Sequence, residues 1–549
     1  MTDTVFDFLL SKVADRPLLL FAMFFGSLQL LLGRRSPNDA FAIRFERVVP
    51  KFAYGLALAS LTIYVVEVGW YMQTAAYYDR AEPTITAVAW IVRDGLPLYH
   101  DLASADRYSH VYGPLAFLSH RAALSVFGPH IAVSKALSGL AALSSLGCLL
   151  LALRTSAGLR LGVTVTGVTA LLYLGFRNMS FWVRPEPLLL LTTALGVLAV
   201  RINSVWRSGV VLGVLLGVAV NLKITAAFYF LPLLGLLWVR QQLRAVAITV
   251  VLGAVVSLVP FFWMDHVSLG NYLTWLRLSG GNGLEFGELR LNVEWALFLL
   301  MTVLHPLTFK RPSSVTPPIV VISLILGLCG VIMTAAKPGA GFYHLLPFVP
   351  CLAYLAVLVN DKHTRLGNRR LVWPSGILAF VLTLAFIAAI QQLYFFRTMP
   401  SEDPEAVVAD LERYRSAHPN QPFAIGYGGP YALSLFRPLP VFWGGRYLVD
   451  APAVMEHQLS NIPLPDSTVS AMRSCVIETW LIPRDAEPFD TRNVYPATHH
   501  SPIFSDAFRA AFFDRYRLNG HTEFYDVWTC ERAIVTENFG PSLATPSAS

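Results

Sequence analysis

Charged residues are scarce in this chain. They make up 14% of the 549 residues, whereas hydrophobic residues make up 55%. The mean hydropathy is +0.53. Because soluble globular chains have about 25% charged residues, this composition excludes an ordinary soluble protein. Long apolar runs between short polar stretches instead predict a polytopic α-helical membrane protein.

Cysteine is also scarce, with five in the whole chain. Cys148, Cys329 and Cys351 lie inside apolar runs and are typical of small core residues. No metal-binding spacing is present, so we expect no metal requirement and no cofactor. Cys475 and Cys530 lie in the polar C-terminal part, where we predict a disulfide because that part is expected outside the cytoplasm.

Two further features are missing. The N-terminus lacks a basic stretch followed by a small-residue cleavage site, so we expect no removable signal peptide. The net charge of +7 is spread over short loops and forms no basic block. This distribution excludes nucleic acid as a partner and favours an explanation by membrane orientation.

The apolar runs predict about 11–12 transmembrane helices. Several runs are shorter than the roughly 20 residues of a perpendicular span, so we expect broken helices around a cavity. The runs cover 17–32 (of borderline length), 52–71, 131–153, 161–176, 187–200, 209–221, 224–239, 245–263, 293–307, 319–336, 342–358 and 371–393.

Basic residues occur in every second loop, which by the positive-inside rule makes those loops cytoplasmic. The chain then divides into three parts. Residues 1–51 form an N-terminal segment with a cytoplasmic loop, and residues 52–394 form a transmembrane module whose first outer loop is 73–130. Residues 395–549 form an extracytoplasmic domain, and strand-like runs at 423–426 and 476–482 with a helical pattern at 404–414 predict a small α/β fold there.

The first outer loop places Asp79 and Glu82 one helical turn apart where a membrane helix meets water. Two carboxylates at such a boundary suit acid–base chemistry, although an ordinary solvated loop has the same appearance. Two interfacial helices on the outer leaflet are expected in this loop. A glycine cluster at 280–283 in the second outer loop favours a mobile segment, or a plain flexible loop.

Further charged residues are predicted at the outer ends of helices. Such residues are costly at a membrane boundary unless they are paired or used. Their common depth near Asp79 favours a site for an anionic lipid headgroup, with snorkelling side chains as the alternative. They are Arg184 and Glu186 in VRPEP, Lys223 in NLKIT, Lys337 in KPGAGFYH and His344 in FYHLLP.

Several short motifs follow each other along the chain, namely the DxxE of the outer loop, GLPLYHD, YGPL, RPEPLLLL, the hairpin lysine and YHLLPFVP. Their order resembles the GT-C superfamily of polyprenyl-phosphate-sugar-dependent glycosyltransferases. Protein O-mannosyltransferases and the lipid A aminoarabinose transferase belong to it. The resemblance covers about residues 52–394. It implies a GT-C type fold in a bacterial inner (plasma) membrane, with the active site and C-terminus extracytoplasmic.

The resemblance also implies a reaction: inverting transfer of a sugar from a polyprenyl-phosphate donor to a glycan, lipid or protein acceptor. The acid of the first outer loop serves as general base in that family, which maps onto Asp79. Glu82 is either a second catalytic acid or a supporting one. Relatives often use another acid in later outer loops, and the candidates here are Asp101, Asp106, Glu186 and Asp265.

Elementary chemistry gives the same division of tasks. A sugar hydroxyl is a poor nucleophile, so a carboxylate must take its proton. Polyprenyl phosphate leaves as an anion, which Arg184, Lys223, Lys337 and His344 would bind. The alternatives are a lipid-linked glycan transporter or flippase, and a polysaccharide ligase or polymerase. Many transporters contain an internal sequence repeat, and the two halves of this sequence show none, which argues against the transporter.

Overall fold

The computed structural model describes residues 40–176, 179–304, 317–365, 402–429, 431–493 and 501–531, with a few more between 385 and 394. The predicted run 17–32 lies outside these residues, and the run 371–393 lies almost entirely outside them. Of the predicted cytoplasmic loop before residue 52, the part from Ala40 onward is helical.

The described residues up to Arg365 are mostly helical. In chain order the helices are α1 Ala40–Gln73, α2 Ala81–Arg93, α3 Pro114–Phe127, α4 Ile131–Ala157, α5 Leu159–Gly175, α6 Pro185–Ala199, α7 Val205–Leu222, α8 Ala227–Trp263, α9 Leu269–Gly280, α10 Phe286–Leu304, α11 Pro318–Thr334 and α12 Val349–Arg365. Short 3₁₀ segments, Ile224–Ala226 and Phe342–Phe348, precede α8 and α12.

Apolar helices of spanning length confirm the predicted class. Within the described residues, four stretches are long and apolar enough to cross a membrane: Lys51–Gln73, Ile131–Arg154, Val205–Leu222 and Ile224–Trp263. Four shorter apolar helices accompany them: Leu159–Gly175, Pro185–Ala199, Pro318–Thr334 and Phe342–Leu358. The total of 11–12 spans stays a prediction.

The two predicted runs 224–239 and 245–263 form the two halves of α8. Gln242 separates them with a left-handed backbone (φ 68°), which interrupts the helical geometry. Pairs of apolar helices pack on each other, namely α7 on α8, α1 on α5, and α4 on α6. These contacts build the scaffold that carries the loops.

The first loop contains two helices, as predicted, but α2 differs from the expected interfacial helix. Its residues from Ala81 to Val92 are all buried. The C-terminal domain covers it, with Phe442 packed edge to face on Trp90 at 5.7 Å between ring centroids. Helix α2 is therefore a core element between two parts of the chain, because a folded domain rather than lipid receives its apolar side chains.

The C-terminal domain confirms the predicted mixed α/β fold. The predicted helix and strands appear as α13 Pro404–Ala417, β1 Phe423–Ile425 and β2 Thr479–Pro483. The other elements are α14 Tyr431–Ser434, α15 Pro438–Phe442, α16 Ala451–Leu459, α17 Asp466–Arg473, α18 Asp506–Arg515, β3 Tyr516–His521 and β4 Tyr525–Cys530.

The four strands form one sheet in the order β1-β2-β4-β3, with β1 parallel to β2 and the other pairs antiparallel. The hairpin of β3 and β4 was not predicted. Strand β3 reads YRLNGH and is largely exposed at the sheet edge, so it lacks the apolar alternation that marks a half-buried strand.

Buried Arg437 attaches this domain to α2. Its guanidinium donates to the carbonyl oxygen of Arg80 at 2.8 Å, to Thr84 Oγ1 at 2.9 Å and to Asp450 Oδ1 at 3.0 Å. The hydroxyl of Thr84 donates to the same Asp450 oxygen at 2.9 Å. A backbone bridge between Arg107 and the segment before α16 extends the contact. The first loop and the C-terminal domain therefore share one polar interface.

The predicted disulfide between Cys475 and Cys530 is present, with 6.0 Å between the two Cα atoms and a sequence separation of 55. It joins the segment after α17 to the end of β4. Replacing both cysteines by serine should lower the free energy of unfolding of the domain by about 4 kcal/mol in the chain-entropy model. Denaturant unfolding followed by tryptophan fluorescence measures this loss.

Cys329 provides the matched control, because it is a free cysteine. Cys329→Ser should leave the unfolding midpoint of the domain in place. A double variant that unfolds at the same denaturant concentration as the unmodified protein would contradict a stabilising role for the disulfide.

Candidate active site

Asp79 lies in the turn between α1 and α2, and buried Glu82 fixes that turn. One oxygen of Glu82 accepts hydrogen bonds from the backbone N–H of Tyr78 at 2.7 Å and of Asp79 at 2.9 Å. The other oxygen accepts the N–H of Val183 at 3.1 Å and the hydroxyl of Tyr71. Glu82 thereby ties the backbone of Asp79 to the chain just ahead of α6.

Arg184 orients the side chain of Asp79. It is the residue before α6, and Pro185 favours a helix start at that point because its fixed φ suits the first helical position. Arg184 Nε lies 2.8 Å from Asp79 Oδ2, which also accepts the N–H of Ala81 at 3.2 Å. Within the described residues, Asp79 Oδ1 has no partner, so it is available to a ligand.

Lys223 follows the last residue of α7 and lies in a buried polar cluster. Its Nζ donates to Glu186 Oε1 at 2.9 Å and to His344 Nε2 at 3.2 Å. Glu186 belongs to the first turn of α6, where the helix dipole stabilises a carboxylate. The hydroxyl of Tyr229 donates to the carbonyl oxygen of His344 at 2.8 Å and positions that residue.

The glycine of the YGPL motif brings the first loop against the end of α7. A Cβ on Gly113 would lie 2.1 Å from the carbonyl oxygen of Asn221, so this approach requires glycine. The N–H of Gly113 donates to the carbonyl oxygen of Leu222 at 3.1 Å. This contact places the ring of Tyr112 5.7 Å from Lys223 Nζ.

Lys337 lies in the turn after α11. Its Nζ bonds to the hydroxyl of Ser279, and Gly339 shapes the turn with φ 80°. No carboxylate among the described residues forms an ion pair with Lys337. Lys337 therefore differs from Arg184 and Lys223, whose charges are balanced by acids.

A cavity of about 130 Å³ collects these side chains. The first loop, the ends of the apolar helices and the C-terminal domain all contribute to its wall. It is lined by Asp79, Arg80, Ala81, His110, Val111, Tyr112, Arg184, Lys223, Lys337, Pro338, Gly339, Ala340, Tyr343, His344, Pro452, Met455, Glu456 and Leu459.

The charge of this lining is positive. It contains four basic residues and two acidic ones, namely Arg80, Arg184, Lys223 and Lys337 against Asp79 and Glu456. Buried Glu186, just outside the lining, balances Lys223. Asp79 balances Arg184. Arg80, which lies 4.4 Å from the ring centroid of Tyr431, and Lys337 remain with Glu456 as the one other acid of the lining, so a single positive charge is in excess. The cavity is therefore suited to an anion such as a phosphate group.

Five of the acids proposed from the sequence lie outside the cavity. Glu82 and Glu186 are buried behind the cavity. The contacts of Glu82 favour the supporting alternative, and its role in catalysis stays a prediction. Asp106 pairs with Arg446 at 3.0 Å. Asp101 is exposed and accepts the N–H of Ala103 at 2.8 Å, and Asp265 is also exposed. None of the five lines the cavity.

His110 was missed by the sequence reasoning, although only Val111 separates it from the YGPL motif. Its ring stacks on Tyr112 with 5.0 Å between centroids. Burial lowers the pKa of His110, Asp450 and Glu456 oppose that shift, and Arg184 and Lys337 add to it. The imidazole is therefore expected to be neutral at pH 7.

The C-terminal domain was also not expected to reach the site. Its helix α16 contributes four lining residues. It also holds the glycine cluster of the second loop: Asn282 donates to Glu456 at 2.8 Å, and Ser460 donates to the carbonyl oxygen of Leu278 at 2.8 Å. In this arrangement the segment 280–283 is anchored to the domain.

Among the described residues, no three His, Cys, Asp or Glu side chains come together as a metal site.

Glu82→Gln tests the support under Asp79. The amide nitrogen of glutamine would face N–H donors, so at least one buried donor loses its acceptor. We expect a loss of about 1–3 kcal/mol in stability and a lower melting temperature in detergent. Glu412→Gln is the control, because Glu412 is exposed on α13. Equal melting of Glu82→Gln and the unmodified protein would refute this role.

The comparisons with known proteins concern the fold. No family model and no curated protein matches the sequence. The structure is similar to two crystal structures of ArnT from Cupriavidus metallidurans, one bound to undecaprenyl phosphate and one in the apo state. Both are 13% identical to this chain and cover 86% of it, with TM-scores of 0.48 and 0.47. The match spans 97% and 96% of those chains.

Proposed function

We propose that the chain is a GT-C type membrane glycosyltransferase that moves a sugar from a polyprenyl-phosphate donor to an acceptor hydroxyl at the outer face of the membrane. The observation that carries this proposal is the cavity at the helix ends. It places a carboxylate with one free oxygen, Asp79, beside an excess of positive side chains.

The positive side chains suit the phosphate of the donor. Lys337 and Arg80 have no acidic partner among the described residues, so an anion gains their charge without displacing an existing ion pair. Arg184 and Lys223 add hydrogen-bond donors from the ends of α6 and α7. A phosphate bound here leaves its polyprenyl chain free to extend along the apolar helices.

Asp79 is the proposed general base. Its carboxylate accepts the proton of the acceptor hydroxyl while the acceptor oxygen bonds to the anomeric carbon of the sugar. The bond between that carbon and the phosphate oxygen breaks, and its electron pair leaves with polyprenyl phosphate. Attack from the face opposite the leaving group inverts the anomeric configuration. The cationic side chains stabilise the charge on the leaving phosphate.

Asp79→Asn tests the base. Asparagine keeps the shape of the side chain but cannot accept the proton, so turnover should fall by about a hundredfold or more with donor binding largely retained. The assay is transfer of labelled sugar from undecaprenyl-phosphate sugars by the purified full-length protein to lipids and glycans of the cell envelope. Asp101→Asn is the matched control in the same loop. Near-normal turnover in Asp79→Asn would reject Asp79 as the base.

Lys337→Ala tests the phosphate site. Lys337 has no acidic partner among the described residues. Its removal therefore leaves no carboxylate without an ion-pair partner, whereas removal of Arg184 or Lys223 would. Loss of one charged hydrogen bond should weaken binding of undecaprenyl phosphate by about 1.5–3 kcal/mol, or roughly ten- to a hundredfold. Lys51→Ala, at an exposed lysine of α1, is the control. Unchanged binding in Lys337→Ala would place the phosphate elsewhere.

A further inference from the structure

One face of α16 forms a wall of the cavity. Pro452, Met455, Glu456 and Leu459 follow each other at intervals of three, one and three residues, which places them on the same side of a helix. All four line the cavity. The C-terminal domain therefore contributes a surface of three apolar side chains and one carboxylate.

His110 adds a buried imidazole to the lining of the cavity. Its two ring nitrogens are buried and have no hydrogen-bond partner among the described residues, and the residue is only 9% exposed. An unsatisfied buried polar group costs about 1–3 kcal/mol, so a ligand that bonds to the ring offsets this cost. Because His110 lines the cavity, such a ligand has access to it.

The electrostatic neighbours of His110 connect this wall to the cationic residues. Glu456, Arg184 and Lys337 line the same cavity as His110. Their charges also act on the pKa of its imidazole, which Glu456 raises and the two cations lower. A group attached to a phosphate bound by Arg184 and Lys337 would therefore be within reach of His110 and Glu456.

The chemistry of the wall selects among such groups. A neutral imidazole offers one donor and one acceptor, and the carboxylate of Glu456 accepts one hydrogen bond from Asn282 and has room for others. Met455 and Leu459 offer an apolar surface to C–H groups. An acyl chain would leave the imidazole and carboxylate unpaired, and a second anion would be repelled by Glu456. A hydroxylated ring uses all three features.

We infer that His110, Glu456 and the apolar face of α16 form a subsite for a glycosyl ring, built jointly by the first loop and the C-terminal domain. This inference rests on the proposed function, which places the phosphate at the cationic residues. The ring belongs either to the lipid-linked donor or to a glycan acceptor, and the two sources are separated by experiment.

The first measurement is binding to the purified full-length protein in lipid nanodiscs without acceptor. The probes are undecaprenyl phosphate and the same lipid phosphate carrying glucose, galactose, mannose or N-acetylglucosamine. The unmodified protein should bind at least one glycosylated probe more tightly than undecaprenyl phosphate. In His110→Phe and Glu456→Gln that advantage should fall about tenfold or more, whereas binding of undecaprenyl phosphate should change less than about twofold.

The variants are chosen to keep the fold. Phenylalanine preserves the aromatic contact with Tyr112 and removes the unpaired nitrogens. The melting temperature of His110→Phe should therefore be no lower than that of the unmodified protein. Glutamine can still accept the hydrogen bond from Asn282. Asn282→Ala removes that bond without changing the carboxylate and should keep the advantage of the glycosylated probe. His521→Phe and Glu412→Gln, at exposed positions, are the matched controls.

The outcomes separate the claims. If the advantage of the glycosylated probe persists in both variants but the KM for a glycan acceptor rises about tenfold, the ring is that of the acceptor. The subsite is refuted if the variants change neither the preference for the glycosylated probe nor the KM for the acceptor. It is also refuted if the unmodified protein prefers no glycosylated probe and the variants have the same acceptor KM as the unmodified protein. If the unmodified protein fails to bind undecaprenyl phosphate itself, the proposed function fails at the phosphate site.

Discussion

The architecture around the cavity depends on one buried guanidinium. Arg437 is 1% exposed and its ion-pair partner Asp450 is fully buried, so the charge of each must be satisfied inside the protein. Arg437 meets this requirement with donors to α2, to Asp450, to Tyr447 at 2.8 Å and to the carbonyl oxygen of Ser434 at 3.0 Å. Any displacement of the domain along α2 would leave buried charge unpaired, which is strongly unfavourable. This ion pair therefore determines position more than it adds stability.

The consequence is a cavity whose two sides have different origins. Arg184, Lys223 and Lys337 come from the ends of apolar helices, where unpaired backbone groups and open space allow polar chemistry. The wall of α16 belongs to the C-terminal domain, which follows α12 at a distance in sequence. Because Arg437 bonds to the carbonyl oxygen of Arg80, the domain is attached one residue away from Asp79. The position of Asp79 and the position of the C-terminal domain over the cavity are thus linked through Arg437.

Charge balance also explains which residues are free to act. Glu82 and Glu186 resemble catalytic acids in the sequence, yet both are buried and bonded inside the protein. Backbone N–H groups bond to Glu82, and Lys223 bonds to one oxygen of Glu186. The hydrogen bonds of these two buried acids hold Asp79 and Lys223 in place. By contrast, Asp79 keeps one carboxylate oxygen without a partner among the described residues, although its other oxygen pairs with Arg184. Asp79 and Lys337 both line the cavity, and this access distinguishes groups that can bind a ligand from groups that maintain the site.

The sequence by itself determined the helical membrane class, the mixed C-terminal domain, the disulfide between Cys475 and Cys530, and a set of residues that does converge: Asp79, Arg184, Lys223, Lys337 and His344. These follow from local properties, namely apolar run length, strand-like alternation and charges at helix ends. Only the tertiary structure decided that α2 is covered by a domain, that Glu82 supports rather than lines the site, and that His110 and Glu456 reach the cavity. The cover of α2 and the reach of Glu456 depend on contacts between residues more than 300 positions apart, such as Arg437 with Arg80. The position of Glu82 depends on its bond to Val183, 101 positions away. No local pattern encodes these contacts.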